Sequence, residues 1–271
     1  MPEAPLSSAI AAATAVRFRG GGFEITPKRW LAPLFAATLV GAWQAGSSLG
    51  WIDPLFLPTP AGSFETLYRE LAQGDLPVHI GRSLLRLLFG WSLGSLAGLV
   101  VGLSMGLWSW CRAIGGAAVS ALYSIPKIAL LPLFILWLGI GEASKVTTIA
   151  LGVFFPMTVS VCAAADAAPR PFIRMAQSFG LGRLAIVVKI ILPSALPGIL
   201  ACARITTSTG LVLLVAAEMI GAQYGIGAYI LAAGNIMDID KLLAGVLVLS
   251  LLGTLAGTAI AALERSLLRW R

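Results

Sequence analysis

Chemistry in this chain is confined to a few charged and hydroxyl side chains set inside otherwise apolar runs. Lys127 stands within the run 114–138, about 20 Å from its start by helical rise. An unpaired ammonium at a bilayer centre costs at least about 2.5 kcal/mol. It therefore needs water, a carboxylate, backbone carbonyls or a bound anion. Two answers compete: a lysine satisfied by neighbouring carbonyls, and a basic group on the path of an anionic solute. Ser124 joins that candidate path. Pro126 and Pro132 flank the lysine and remove backbone donors, an irregularity tolerated where a helix lines a cavity. Glu218 sits near the end of the run 197–220. Its ordinary reading is a carboxylate reaching the interface or pairing with Arg82 or Lys241; its functional reading is a gate or lining residue. Thr206, Thr207, Ser208 and Thr209 form a polar stretch in the same run, suited to hydrogen bonds across helices or to wetting a pore. Arg204 is accounted for by snorkelling.

Other chemistries find no support. The chain has no G-x-x-x-x-G-K-[ST] loop, so by itself it lacks the usual means of hydrolysing ATP. The single histidine, His79, has no acidic or cysteine cluster at ligand spacing and reads as a solvated loop residue. Cys111, Cys162 and Cys202 match no metal spacing, and none lies in the long loop 50–83, so no disulfide is expected. The net charge of +7 has no nucleic-acid motif behind it.

The elements that must position these residues are membrane helices. Apolar residues make up 58% of the chain and charged residues 11%, against about 25% charged in ordinary soluble domains. Runs near the length of about 20 residues that a span needs occur at 30–49, 84–107, 114–138, 146–165, 197–220 and 242–263. The expected fold is therefore an all-α, polytopic membrane protein with about six transmembrane helices. An inside N-terminus places Arg17, Arg19, Lys28, Arg29, Arg112, Arg170, Arg174, Arg183, Lys189, Arg265, Arg269 and Arg271 in the cytoplasm. It leaves only Arg69, Arg82, Lys145 and Lys241 outside, as the basic-residue bias requires. Both termini are then cytoplasmic, and the positive charge adds an attraction to anionic membrane lipid. Residues 1–29 read as a cytoplasmic tail and not a cleaved signal, because Arg17 and Arg19 follow a short apolar stretch. The transmembrane domain is expected over 30–271.

Two patterns concern packing. Gly90, Gly94, Gly98, Gly102 and Gly106 recur every four residues, which makes a slanted groove suited to close helix crossing. A helix of the same chain is the simpler occupant, and a second copy is the alternative. Gly253 and Gly257 extend the theme in the last run. In the outer loop, about 50–83, Leu57-Pro58-Thr59-Pro60 is stiff. Phe64, Leu67 and Leu71 then suit a short helix along the membrane surface. That helix either covers the bundle or forms a platform beneath an external partner.

Between the fourth and fifth runs lies a polar, basic interval, 166–193. Arg174-Met175-Ala176 is followed by Gly180, then by Ile190 and Leu192-Pro193, with Pro197 beyond. A short helix, a glycine turn, a second helix and a proline stop make a structured elbow. This spacing resembles the coupling loop of ABC-importer permeases, in which the first helix docks into a cleft on a cytoplasmic ATPase. The wider chain resembles the branch importing nitrate, sulfonates, taurine and bicarbonate. The supporting segments are Leu57-Pro58-Thr59-Pro60, the residues around Pro126-Lys127-Ile128-Ala129, Trp137-Leu138-Gly139-Ile140-Gly141, and Ala217-Glu218 with Gly225-Ile226-Gly227.

The resemblance implies a type I importer permease fold in the bacterial inner membrane. It implies ATPase coupling through Arg174, Met175, Ala176, Phe179, Gly180 and Leu181, with Arg174 at the family's opening glutamate position. It also implies ATP and Mg bound only by partner ATPase subunits, an extracytoplasmic solute-binding protein, and a second permease copy completing a homodimer or pseudo-dimer. The candidate substrate path is Lys127, Ser124, Thr206, Ser208 and Glu218. The rival reading is a self-contained secondary transporter or channel, which requires coupling-ion carboxylates or broken half-helices near the midplane.

Overall fold

The computed structural model describes residues 30–53 and 55–269, and among these every regular element is helical. The expected tail, 1–29, and Arg271 lie outside the described residues. The chain divides into two units, Met1–Ile52 and Asp53–Arg271.

The first unit contains α1, Leu31–Ser48. It occupies the expected first span, but Thr38, Gln44, Ser47 and Ser48 leave it less apolar than the others. Four helices of the described chain are long and apolar enough to cross a membrane, and a bent pair makes a fifth. Of the six expected runs, α1 lies on the first, and these four helices and the bent pair lie on the other five.

The second unit opens with α2, Pro60–Gln73, the helix expected from Phe64, Leu67 and Leu71. Thr59 caps it, its hydroxyl accepting the Gly62 N–H at 3.1 Å, and Pro60 fits the first turn, where a missing donor costs nothing. The long helix α3 runs Leu76–Leu107, starting well before the expected boundary at 84. Pro77 in its first turn supplies the start, and His79 consequently belongs to a helix and not to a loop.

The expected third span is two helices. After α4, Ser109–Tyr123, the chain breaks, makes a 3₁₀ turn at Lys127–Leu130, and continues as α5, Leu131–Leu138, with a bend of 88°. Pro126 is itself extended at ψ 110°, disfavours helical backbone at the preceding residue and lacks a donor, which is sufficient cause. The next helix, α6, spans Glu142–Asp166.

The elbow follows as α7, Arg170–Ser178, and α8, Arg183–Ile186. Here the expected proline stop fails. A π turn at Val187–Ile191 leads directly into α9, Leu192–Gly221, giving one apolar helix over Arg183–Gly221 with Pro193 and Pro197 inside it. The wider turn just before Pro193 absorbs the lost donor and the ring clash that would end a regular helix. A short apolar helix, α10, Ile226–Asn235, and the last span, α11, Ile239–Leu267, complete the fold.

The glycine stripe finds its partner within the chain. Along α3, a methyl at Gly98 would lie 2.7 Å from Met157 Cβ, one at Gly102 would lie 2.6 Å from the Thr158 carbonyl, and one at Gly106 would lie 2.7 Å from Ala165 Cβ. At Gly94 it would strike the Ala150 backbone. The absence of Cβ atoms lets the α6 backbone approach directly, which is how helices associate where no hydrophobic force separates helix from lipid. Gly257 has no neighbour within 4 Å, so the theme does not extend to it. Leu87, Ile149, Val153, Leu213 and Leu214 then lock α3, α6 and α9 into one core. A second cluster, Leu76, Ile226, Tyr229 and Val248, ties α10 and α11 to the start of α3.

Candidate functional site

Three places gather the polar residues. The first is a buried lock among the beginning of α3, the end of α9 and the start of α10. Ser83 and Arg86, three residues apart on one face of α3, reach Glu218, which is 0% exposed. Arg86 Nη1 donates to Glu218 Oε1 at 2.8 Å, and the Ser83 hydroxyl donates to the same carboxylate at 2.8 and 2.9 Å. Gly227 N–H donates to Glu218 Oε2 at 2.9 Å, and Ile226 N–H donates to Ser83 Oγ at 2.8 Å. The carboxylate thereby meets the positive end of α10 and accepts one of its orphan donors, Ser83 accepting another.

Arg86 is also held by Glu142, with Nε to Oε2 at 2.5 Å and Nη2 to Oε1 at 2.7 Å, and by the Tyr224 carbonyl at 2.5 Å. Nδ1 of His79 lies 2.8 Å from the Gly225 carbonyl oxygen and 3.0 Å from its N–H, so the tautomer decides whether it donates or accepts. Gly225 has φ +139°, and any Cβ there would collide with the Glu218 carboxylate. The sequence pattern of an acid followed by two spaced glycines is thus explained: the backbone folds down onto the carboxylate.

The pairing of Glu218 with Arg82 or Lys241 is corrected to Arg86. Lys241 instead pairs with Glu70 at 3.4 Å. His79 is packed against Tyr224 and Tyr229 and is not a solvated loop residue. Arg86, Ser83 and Glu142 were missed as site residues. The available signal was an arginine inside the first turn of a candidate span, one turn after Arg82, that nothing else would neutralise.

The second place is an open groove of about 610 Å³ between the broken helix pair, α6 and α9. Lys127 and Ser124 line it, with Tyr123, Pro156, Thr209 and Leu213. Lys127 Nζ donates to the Leu122 carbonyl at 3.2 Å and to that of Tyr123. It also lies 5.0 Å from the Tyr123 ring and 4.9 Å from the Phe155 ring. The lysine is therefore satisfied by carbonyls and aromatic faces and lines a cavity as well. Three expected path residues, Thr206, Ser208 and Glu218, stand apart from this groove. Thr206 is fully buried, donating to the Ala203 carbonyl and accepting from Trp91 Nε1 at 3.3 Å, and Glu218 belongs to the lock. Ser208 is exposed on α9.

The third place is the elbow. Gly180 has φ +74°, and the turn closes with Leu181 N–H to the Ala176 carbonyl at 3.1 Å and Gly180 N–H to that of Gln177 at 2.9 Å. This is the Schellman pattern, which needs a residue without Cβ at its αL position. No neighbour lies within 4 Å of a Cβ at Gly180, so the constraint is the backbone angle and not a clash. Ala176 is buried, whereas Phe172, Met175 and Phe179, one face of α7, stay exposed together with Arg174.

Comparison with known proteins fits this architecture. Residues 93–269 match the family model of the binding-protein-dependent transport system inner membrane component. The chain is 35% identical over 247 residues to a candidate aliphatic sulfonates transport permease protein, SsuC, of Escherichia coli (strain K12), covering 90% of this chain and 94% of that one. It is 36% identical over 239 residues to the taurine transport system permease protein TauC of the same organism, covering 86% and 87%. Its fold resembles that of a chain of the MetNI methionine ABC transporter solved in inward-facing conformations, with a TM-score of 0.63 and 24% identity over 73% of this chain and 98% of that chain. The protein accordingly belongs to the family of binding-protein-dependent transport system inner membrane components and is a multi-pass permease subunit of an ABC importer.

Proposed function

We propose that this permease carries a small organic anion of the sulfonate and taurine class, and that the elbow at residues 166–193 is its cytoplasmic contact with ATPase subunits. ATP and Mg bind to those subunits, a solute-binding protein delivers substrate on the opposite side, and a second permease copy completes the path. The substrate class is supported by the names of the two relatives and by Lys127 on the α4–α6–α9 groove.

The observation that carries the coupling role is the elbow's rigidity combined with its unburied apolar face. Phe172, Met175 and Phe179 are 54, 53 and 77% exposed on a helix whose end is fixed by a Schellman turn. Such a patch outside the bilayer marks a protein contact. Movement of the ATPases would reach α6 and α9, which flank the elbow in sequence, and through α9 would reach the Glu218 lock.

The rival secondary-transporter reading calls for broken half-helices, which the bent α4–α5 pair would supply, or for a carboxylate available to a coupling ion, which has less support. Glu218 is occupied by Ser83, Arg86 and Gly227.

The test is co-purification of the ATPase with the wild type, Phe179→Asp and Gly180→Val. A β-branched residue at φ +74° is strongly disfavoured. Both variants should insert normally and lose ATPase capture together with uptake. Normal capture and uptake by both would overturn the assignment.

A further inference from the structure

A polar pocket of about 380 Å³ lies beside the lock and has no part in the coupling described above. Its walls include Arg82 and Arg86 of α3, Glu142 and Lys145 of α6, and residues 221–224 at the end of α9 and in the loop that follows. Donor accounting shows what it lacks. Arg86 is spent: its Nε, Nη1 and Nη2 already serve Glu142, Glu218 and the Tyr224 carbonyl. The Glu142 carboxylate takes one bond on each oxygen from the same guanidinium.

Lys145 is different. It is 4% exposed, and its ammonium donates to a single backbone acceptor, the Gly141 carbonyl at 2.9 Å. Neither Lys145 nor Arg82 makes a direct salt bridge to a carboxylate among the described residues, although Glu142 acts on both through space and Glu218 on Lys145. An ammonium has three donors, so Lys145, which lines the cavity and has one hydrogen-bond partner, keeps two for a ligand. A buried cation is retained only where something compensates it. Charge bookkeeping agrees: the walls and the adjoining lock together carry three cations, Arg82, Arg86 and Lys145, and two carboxylates, Glu142 and Glu218.

We infer that this pocket binds the anionic head group of a small organic solute, held by Lys145 from within and by Arg82 from the rim. The inference rests on the proposed import of organic anions, for which it supplies an entry subsite. Lys145 and Asp166 stand near opposite ends of α6, about 30 Å apart by helical rise. If the elbow faces the cytoplasm, the pocket faces the side from which substrate arrives. Its volume falls in the range of small-ligand sites, about 300–1,000 Å³. The α9–α10 loop forms one wall and is tied to Arg86 through Tyr224, so an occupied pocket sits directly against the lock.

The experiment uses the full chain in nanodiscs, titrated with ethanesulfonate and with ethyl methyl sulfone, a neutral molecule of similar shape, and read by intrinsic tryptophan fluorescence and melting temperature. The wild type should bind ethanesulfonate saturably and ignore the sulfone. Lys145→Gln should weaken ethanesulfonate binding by about tenfold or more, since a hydrogen bond to a charged group is lost. Lys145→Arg should restore part of it. Because Arg82 is exposed, Arg82→Gln tests the same pocket without a folding risk and should weaken binding by a few-fold, about that expected of a rim charge.

Equal affinity of wild type, Lys145→Gln and Arg82→Gln for ethanesulfonate, or equal affinity of the wild type for the sulfone, would overturn the pocket assignment. ATP-driven uptake of ethanesulfonate by the assembled complex is measured separately. Binding without any organic-anion uptake would remove the proposed substrate class and leave the pocket standing. Uptake with unchanged binding in both variants would remove the pocket and leave the substrate class.

Discussion

Arg86→Met should be among the most destabilising single changes outside the glycine stripe. Glu218 is 0% exposed and Arg86 4%, so truncating the arginine leaves a carboxylate with no water to reach and only Ser83 and the Gly227 N–H to stabilise it. Breaking a buried pair from one side costs about 3–5 kcal/mol, whereas replacing both partners with apolar groups is often neutral. Glu218→Gln is the complementary change. Its amide must direct an N–H either at Arg86 or at the Gly227 N–H, so one donor faces another in both orientations. At about 2–4 °C per kcal/mol for a protein of this size, Arg86→Met should lower the melting temperature by about 6–20 °C.

The assay is thermal unfolding of nanodisc-embedded protein by tryptophan fluorescence, for Arg86→Met, Glu218→Met and the double variant. The two single costs should not add, and the double variant should recover much of the loss. Glu142 keeps contact with water, its side chain being 56% exposed, and so does not cancel the effect. A melting temperature for Arg86→Met within about 2 °C of wild type, with strictly additive single changes, would refute the reasoning.

Gly94→Leu should prevent the α3–α6 crossing and yield protein that is inserted but unfolded by protease sensitivity, because its side chain meets the Ala150 backbone. Gly257→Ala, with open space around it, should be neutral or stabilising by up to about 1 kcal/mol in melting experiments. In a cysteine-free background, Tyr68→Cys should react with an impermeant maleimide on intact cells and Ser178→Cys should not, both sites being exposed; the reverse pattern would overturn the orientation. Lys127→Met should lower transport per assembled complex by about tenfold if the ammonium meets the anion. Undiminished transport would reduce the lysine to its carbonyl and aromatic contacts.

Much of this fold is legible in the sequence because its signals are local. The four-residue glycine repeat announces a close crossing, and the structure supplies α6 as its partner. Gly180 announces a turn, and the turn has the Schellman bonds. What escapes is the context dependence of proline. Pro126 breaks its helix through a right angle, while Pro193 and Pro197 are absorbed by a π turn and a continuing helix, and composition does not distinguish the two. The lock escapes for another reason. Ser83, Arg86, Glu142, Glu218 and Gly227 come from separate segments, and an arginine in a span reads as snorkelling until its partner is located. His79 was misplaced because α3 begins at Leu76, and only that extension brings the imidazole to Gly225.

The most direct test of the coupling claim is reconstitution of the permease with its ATPase and solute-binding protein in proteoliposomes, following radiolabelled taurine with and without ATP. The predicted result is uptake that requires ATP and both partners and is abolished by Gly180→Val without loss of assembled permease. Uptake by the permease alone, driven by an ion gradient and indifferent to ATP and to Gly180→Val, would contradict the account.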